Sequence, residues 1–398
     1  MSKPSKNNGN NRRFAVDGPD RQGQEINRLH SRISTQPFRP LPAPIGTAPY
    51  HVALEEIVPA SVMQSILAAK KMVFHTIGDT GGVKNPADQQ LVVSHMENDL
   101  AATNVADRPA FFYHLGDVVY YYGEESQYYP QFYEPNAHYA APIFAIPGNH
   151  DGDLIDQAVP SLQAFVTNFC TKEPQIASVS GDAPRDTMTQ PNVYWSLYTP
   201  YATFIGLYTN VPEGGELDAT QIAWFQNELK QAPTDKAVIV AMHHPIYSAD
   251  SYHSGSKYME GILDAAMDAT GRIPHLVLTA HVHNYQRFTR AYKGMTIPYL
   301  VAGSGGYWNL HTILPAIKNP PTPIQFPYPL PDRPDVSLHT FSDTRHGYLK
   351  MTVTATAIEG EYYTVPRSQE SWSAPAVLFD QFSIPLSLSQ ASQQTLLQ

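Results

Sequence analysis

A single cysteine, Cys170, among 398 residues rules out any disulfide within the chain. It follows a largely apolar run, Leu162-Gln163-Ala164-Phe165-Val166-Thr167-Asn168-Phe169, and reads as a small buried hydrophobe. No apolar stretch approaches membrane-spanning length, so no span is expected. The first dozen residues are polar and basic with no apolar segment behind them, so no secretory leader is visible. The cytoplasm is the default expectation, and secretion the alternative if a leader has been removed. Charged residues make up only 16% of the chain, no long Lys/Arg run occurs, and the formal net charge is −10. Nucleic acid and anionic membrane are therefore not expected partners. That charge does not exclude a small anionic, phosphorylated molecule, because a bound cation can reverse the local field. Nothing in the composition fixes an oligomeric state.

What the sequence does have is 42% hydrophobic content, enough for a sizeable core, and sixteen histidines, which make metal or proton chemistry worth seeking. Residues 1–48, rich in Asn, Arg, Gln and Pro without sustained periodicity, are expected to form a tail or an arm over the domain. A second tail is expected over 386–398, leaving one domain over 49–385. Within it, residues 71–77, 109–113, 141–146, 236–242, 275–279 and 297–302 read as strands, and 193–198 with 202–208 as an antiparallel pair. Helical apolar spacing marks 89–102, 160–170, 218–231 with Asp218 as N-cap, and 258–267. Residues 348–365 read as a closing hairpin with its turn near Glu359-Gly360. The Pro-rich stretch 310–344 carries no regular signal and is expected to be a long loop. Strands and helices alternate early and late, with antiparallel pieces between, which is the pattern of an α/β sandwich.

Five of these strands end in an oxygen or nitrogen donor: Asp79, Asp117 with Tyr120, Asn149 with His150, His243, and His281 with His283. In the central stretch, His114-Leu115-Gly116-Asp117-Val118-Val119-Tyr120, Gly116 lets the chain turn at the strand end. If that turn continued helically, the side chains of Asp117 and Tyr120 would lean the same way. Taken singly, an Asp capping a helix beside a half-buried Tyr is the better explanation of the pair, and only partners elsewhere in the chain reverse that. Five such endings on neighbouring sheets with a common sense would instead converge on one rim. Carboxylates, a phenolate, an amide oxygen and imidazoles suit iron, manganese or zinc. The donors outnumber what one ion needs. One carboxylate can bridge two cations roughly 3.5–4 Å apart, and Asp117 is the residue expected to do so.

The succession Gly78-Asp79-Thr80-Gly81, Gly116-Asp117-Val118-Val119-Tyr120, Gly148-Asn149-His150-Asp151, Val240-Ala241-Met242-His243 and Ala280-His281-Val282-His283 resembles the five-block signature of the calcineurin-like metallophosphoesterases. More narrowly it resembles the purple acid phosphatase branch. Most of that superfamily has a His two residues after the first Asp. The purple branch has Gly there, as Gly81 is here, and supplies a Tyr three residues after the second Asp, as Tyr120 does. The continuation Asn284-Tyr285-Gln286-Arg287 and the later Gly303-Ser304-Gly305-Gly306 resemble the same branch, so the likeness covers roughly residues 70–310. It implies a four-layer α-β-β-α sandwich of two mixed sheets, the metallophosphoesterase fold. It also implies two metal ions: Fe(III) held by Asp79, Asp117, Tyr120 and His283, and Zn, Mn or Fe(II) held by Asp117, Asn149, His243 and His281. A trivalent ion would ionise the phenol far below its usual pKa of about 10. The implied reaction is in-line attack on phosphorus by a metal-bound hydroxide, with His150 and His253 holding phosphate and protonating the leaving alkoxide. His253 lies ten residues after His243, an offset like the family's, in the loop Ser251-Tyr252-His253-Ser254-Gly255.

There are departures. Asp151 stands where the branch often has Glu, residues 1–69 are too short for the N-terminal β domain of the large plant members, and 310–344 has no assignable counterpart. Those plant relatives are also typically secreted. His244 reads either as orienting a ligand or as packed before Pro245. By strand alternation, His75 and His114 are expected to point away from the ligands, and His95 to be a satisfied core residue. Most of the cluster Tyr121, Tyr122, Tyr128, Tyr129 and Tyr133 is expected to pack, the alternative being a wall for an organic leaving group. The leading functional reading is a binuclear acid phosphomonoesterase. The alternatives are a phosphodiesterase acting on nucleotides or phospholipid head groups, and a non-catalytic phosphate-binding protein. The mark of the last would be a lost ligand, and all seven ligand positions are filled.

Overall fold

The structure, a computed structural model, describes residues 37–154 and 158–386. The expected tails up to residue 36 and from residue 387 lie outside the described residues. In chain order the strands are β1 His51–Ala53, β2 Lys71–Ile77, β3 Phe112–His114, β4 Ile143–Ala145 and β5 Trp195–Tyr198. There follow β6 Ala202–Leu207, β7 Ala237–Met242, β8 Leu276–Thr279, β9 Tyr285–Tyr292 and β10 Met295–Ala302. The last five are β11 Tyr328–Leu330, β12 Arg333–Ser342, β13 Gly347–Thr354, β14 Ala357–Thr364 and β15 Val377–Pro385. Three of the helices matter most here: α1 Pro86–Leu100, α2 Ala219–Gln231 and α3 Lys257–Thr270.

The strands form two mixed sheets, ordered β1-β5-β6-β7-β8-β10-β9-β12-β11 and β15-β14-β13-β2-β3-β4. Strands β2, β3 and β4 run parallel, as do β6, β7, β8 and β10. Those strands are buried on both faces, which is why they read as continuous apolar runs rather than alternating ones. Aromatic rings join the sheets. Phe74 on β2 meets Phe204 on β6 edge-on at 5.1 Å, Tyr113 on β3 stacks on Phe204 at 5.2 Å, and Phe144 on β4 lies 5.4 Å from Trp195 on β5.

Strand alternation then sends His75 outward, beneath α1, where its Nε2 lies 3.0 Å from Asp99 Oδ2 and its Nδ1 3.0 Å from Tyr139 Oη. Asp99 also takes a 3.0 Å bond from Lys350 on β13, which ties α1 to the smaller sheet. On the far side, the Gln221 side chain of α2 bonds both the N–H and the carbonyl of Tyr208, just past β6. Arg290 of β9 makes a two-pronged pair with Asp264 of α3 at 2.6 and 2.9 Å. The helices therefore flank the two sheets from outside and give the four expected layers. Asp218 caps α2 as expected, accepting the Gln221 N–H at 2.7 Å.

Some local expectations fail, for physical reasons. Residues 310–344 are not a structureless loop. They include the short helix Pro315–Lys318 and strands β11 and β12, and β12 pairs with β9, a strand the sequence did not suggest. Both strands carry polar residues satisfied sideways, Arg287 by Asp380 and Thr289 by His339, so neither shows a clean apolar alternation. The β13–β14 turn falls at residues 355–356; Glu359-Gly360 lies inside β14, where a Cβ on Gly360 would sit 2.1 Å from the Phe382 ring of β15. The chain after Gly116 does not continue as a helix, because Asp117 has φ +53°. His95 is buried on α1 as expected, yet its Nε2 has no hydrogen-bond partner. Cys170 is buried. Tyr128 and Tyr133 pack as expected, the latter donating to Asn168 Oδ1 at 2.7 Å.

Candidate metal centre

The C-terminal ends of the parallel strands in both sheets open onto one rim, and backbone bonds stitch the sheets together there. Gly78 N–H donates to the Ala302 carbonyl at 2.9 Å, and Gly305 N–H to the Gly78 carbonyl at 3.1 Å. A Cβ on Gly78 would lie 2.5 Å from Ala280 Cβ, so the close approach of the sheets requires glycine. Asp79, Asp117 and His281 each occupy the left-handed region, with φ of +57°, +53° and +65°. That conformation is uncommon for such residues and persists where surrounding contacts over-determine it. Those contacts are present. His281 N–H donates to Asp79 Oδ2 at 2.8 Å, and His150 N–H to Asp117 Oδ1 at 2.8 Å. Asp151 accepts the N–H groups of Gly148, Val118 and Val119, which holds the loop carrying Asn149 to the loop carrying Asp117.

The structure brings together all nine residues singled out from the sequence. Tyr120 Oη donates to Asp79 Oδ1 at 3.0 Å and lies 3.5 Å from His283 Nε2, which is itself 3.5 Å from Asp79 Oδ1. His243 Nε2 is 3.3 Å from Asp117 Oδ2 and 4.0 Å from Asp79 Oδ1, so the two aspartates face one space. His281 Nδ1 lies 2.9 Å from Asn149 Oδ1, and one donor atom each from Asp117, His243 and His281 fall within 4.8 Å of one another. His150 Nε2 lies 4.0 Å from Asp117 Oδ2 and its ring 4.5 Å from that of Tyr120. His253 stands 4.5 Å, ring to ring, from His281.

The imidazoles are oriented from behind. His243 Nδ1 bonds the Leu115 carbonyl at 2.8 Å, His283 Nδ1 the Asn309 carbonyl at 2.9 Å, and His150 Nδ1 the Tyr121 carbonyl at 2.8 Å. A carbonyl only accepts, so each of those nitrogens carries the proton and Nε2 is turned toward the carboxylates.

The residues fit a pair of cations. Asp117 Oδ2 and His243 Nε2 are buried and make no hydrogen bond, although they face each other. Burial alone would raise the Asp117 carboxyl, but His243 and His150 outweigh it and hold it far below the carboxylate range. Burial would lower the His243 imidazole; Asp117 and Asp79 reverse this and push it up to about 9. Positive charge is thus favoured at the point where those residues meet. Burial, with Asp79 and Asp117, pushes the Tyr120 phenol well above 10, so only a cation beside it would yield the phenolate.

Sequence reasoning missed several participants. Glu213, in the loop after β6, has its Oε1 2.8 Å from His253 Nδ1 and 3.3 Å from His281 Nε2. It lies six residues past its strand, too far for the short offset that revealed the others. Tyr307 stacks on Tyr120 at 4.2 Å, and Asp250 accepts the His253 N–H at 2.9 Å. His114 does turn away from the ligands, but toward Thr80, whose Oγ1 lies 2.8 Å from its Nε2, so it braces the loop after Asp79. His244 Nδ1 lies 2.7 Å from Thr209 Oγ1, and its ring packs 4.3 Å from that of His281.

The calcineurin-like phosphoesterase family matches residues 72–285, more than half of the chain. Probable purple acid phosphatase 20 of Arabidopsis thaliana is 29% identical over 173 residues, covering 40% of this chain and 35% of that protein. Purple acid phosphatase 22 of the same plant is 27% identical over 153 residues, 35% of this chain and 32% of its own. The matched region thus spans about a third of the length of these curated relatives. Purple acid phosphatase PPD1 from yellow lupin (Lupinus luteus) seeds superposes with a TM-score of 0.55 at 16% identity, covering 79% of this chain and 54% of that one, a likeness of fold. No helix among the described residues is long and apolar enough to cross a membrane. With the strand-end motifs, the two-sheet architecture and the family match together, the chain belongs to the calcineurin-like phosphoesterase family, and part of it is similar to purple acid phosphatases.

Proposed function

We propose that this chain hydrolyses small phosphoric monoesters at a two-metal centre bridged by Asp117. In this reading Asp79, Asp117, Tyr120 and His283 hold Fe(III), and Asp117, Asn149, His243 and His281 hold Zn, Mn or Fe(II). The observation that carries it is the position of Asp117, whose Oδ2 faces His243 at 3.3 Å while His243 also reaches to within 4.0 Å of Asp79 Oδ1. A phenol and two carboxylates make one hard donor set, and an amide oxygen with two imidazoles makes a softer one, which supports different ions at the two positions. Bound there, the cations would supply Lewis-acid stabilisation of charge developing on the phosphoryl oxygens and would lower the pKa of attacking water.

The chain's own residues do the rest. His150, anchored through Nδ1, presents the Nε2–H of its imidazolium to a phosphoryl oxygen. His253, anchored through Nδ1 to Glu213, presents Nε2 to the leaving oxygen and gives it a proton. The test is elemental analysis of the purified protein followed by kinetics on a monoester and a diester. We expect two metals per chain and kcat/KM at least ~10-fold higher for the monoester. A much larger value for the diester would replace the monoester reading with a phosphodiesterase. Metal-loaded protein inert toward a broad phosphoester panel would leave only phosphate binding.

A further inference from the structure

We propose that Glu213 is a positioning residue that uses one carboxylate oxygen to fix the ring tautomers of both His281 and His253, so that a metal donor and the leaving-group acid are set by the same atom. This rests on the two-metal reading above. A carboxylate in a hydrogen bond to an imidazole accepts, so the nitrogen facing it carries the hydrogen. For His281 the facing atom is Nε2, 3.3 Å from Glu213 Oε1, which leaves the lone pair on Nδ1. Nδ1 is the atom that lies 2.9 Å from Asn149 Oδ1. Two acceptors at that separation repel unless a cation lies beside them. The distance is also about that between neighbouring ligands on one ion with bonds of about 2.1 Å. For His253 the facing atom is Nδ1, at 2.8 Å, which assigns Nε2 to proton exchange with substrate.

The placement of Glu213 is built rather than incidental. Its side chain is 4% exposed, and burying a carboxylate is unfavourable unless it is paired and hydrogen-bonded. The loop that brings it in turns through Asn210, Gly214 and Gly215, at φ +62°, +79° and +81°. It is closed by Gly215 N–H to Pro212 at 2.9 Å and Glu216 N–H to Thr209 at 2.8 Å. Asn210 is fastened in turn to both the N–H and the carbonyl of Arg39, at 2.9 and 3.0 Å. His253 is held from its other side by the Asp250 carboxylate at its backbone N–H, so the ring can be reoriented at Glu213 without releasing the loop.

The variant is Glu213→Leu, which fills the space and removes the one oxygen that both rings share. Two readouts separate positioning from mere structure. Zinc affinity, titrated against a chelator, should fall about 10–100-fold at one site and stay unchanged at the other. The kcat/KM for an alkyl phosphate should fall at least ~10-fold more than that for 4-nitrophenyl phosphate, whose leaving group needs no proton. Should the variant fail to fold, 15N NMR of histidine-labelled wild-type protein loaded with zinc reads the tautomers directly. Nitrogen-bound hydrogen on Nε2 of His281 and Nδ1 of His253 is expected, and the opposite tautomers would overturn the assignment. Wild-type protein that binds no metal would sink the two-metal reading itself. Wild-type protein with two metals and a Glu213→Leu variant matching it in both readouts would remove only the role given to Glu213.

Discussion

Replacing Gly81 with alanine would put a Cβ 2.5 Å from Tyr120 Cδ2 and 2.4 Å from Gln131 Oε1. Ordinary contacts of a Cβ begin near 3.4 Å, so the ring and the amide must each retreat by about an ångström. Neither retreats easily. Gln131 Oε1 accepts the Tyr120 N–H and its Nε2 donates to the Tyr120 carbonyl, both at 2.9 Å. The Tyr120 ring is confined by Tyr307 at 4.2 Å and by His150 at 4.5 Å. The displacement would fall on Oη, which now lies 3.0 Å from Asp79 Oδ1. Overpacking of this kind costs about 1–3 kcal/mol, and a 1 Å misplacement at a reacting centre on the order of 100-fold in rate. Gly81→Ala should therefore melt a few degrees lower, lose most of its visible tyrosinate-to-iron(III) absorption, and drop about 100-fold in kcat/KM on a monoester. Calorimetry, an absorption spectrum and steady-state kinetics on one preparation read all three. A variant with the wild-type band and wild-type kcat/KM would refute the reasoning and show that the space above Gly81 is not reserved for the phenol.

Tyr120→Phe removes the oxygen but little volume, so it should abolish the visible band while the protein keeps metal at the Asn149–His243–His281 group, measured by elemental analysis; a persistent band would exclude Tyr120 as the chromophore. Asp117→Asn should reduce the content of both metals and leave less than ~1% of kcat/KM, whereas loss of one metal alone would speak against a shared aspartate. His253→Gln should depress alkyl-phosphate turnover far more than turnover of 4-nitrophenyl phosphate, and equal losses would deny it the proton-donor role. His275, remote from the site, accepts the Val238 N–H at 2.9 Å, and burial with Arg272 nearby lowers its pKa to about 4. Its unfolded value is about 6.5, so the unfolded chain takes up the proton first. Stability is complete above pH ~6.5 and is lost as pH falls toward 4, by at most about 3 kcal/mol. His275→Asn keeps an acceptor there, and urea unfolding at pH 7 and pH 4.5 should show about 2 kcal/mol less acid destabilisation than in wild type. The same pH dependence in both proteins would contradict this.

The candidate site was legible because its donors follow apolar strands at short offsets, and two sheets whose parallel strands open on one rim turn those offsets into proximity. Gly81 and Tyr120, far apart in the chain, are one feature in space: the missing side chain makes room for the ring. Glu213 escaped notice because a loop of three left-handed residues carries it back to the site from six positions past its strand. Strands β9, β12 and β15 escaped for a different reason. Their polar side chains are paired laterally, Arg287 and Tyr285 both with Asp380 of β15, and such pairing leaves no alternation to read. The left-handed backbone at Asp79, Asp117 and His281 is set by tertiary contacts, and no local preference of Asp or His announces it.

The most direct measurement is anomalous diffraction from crystals of the metal-loaded protein, recorded at the iron and zinc edges. Two peaks roughly 3.5–4 Å apart, one reached by Tyr120, the other by Asn149, and both by Asp117, are the result predicted. A single peak, or two peaks with no aspartate in common, would contradict the account.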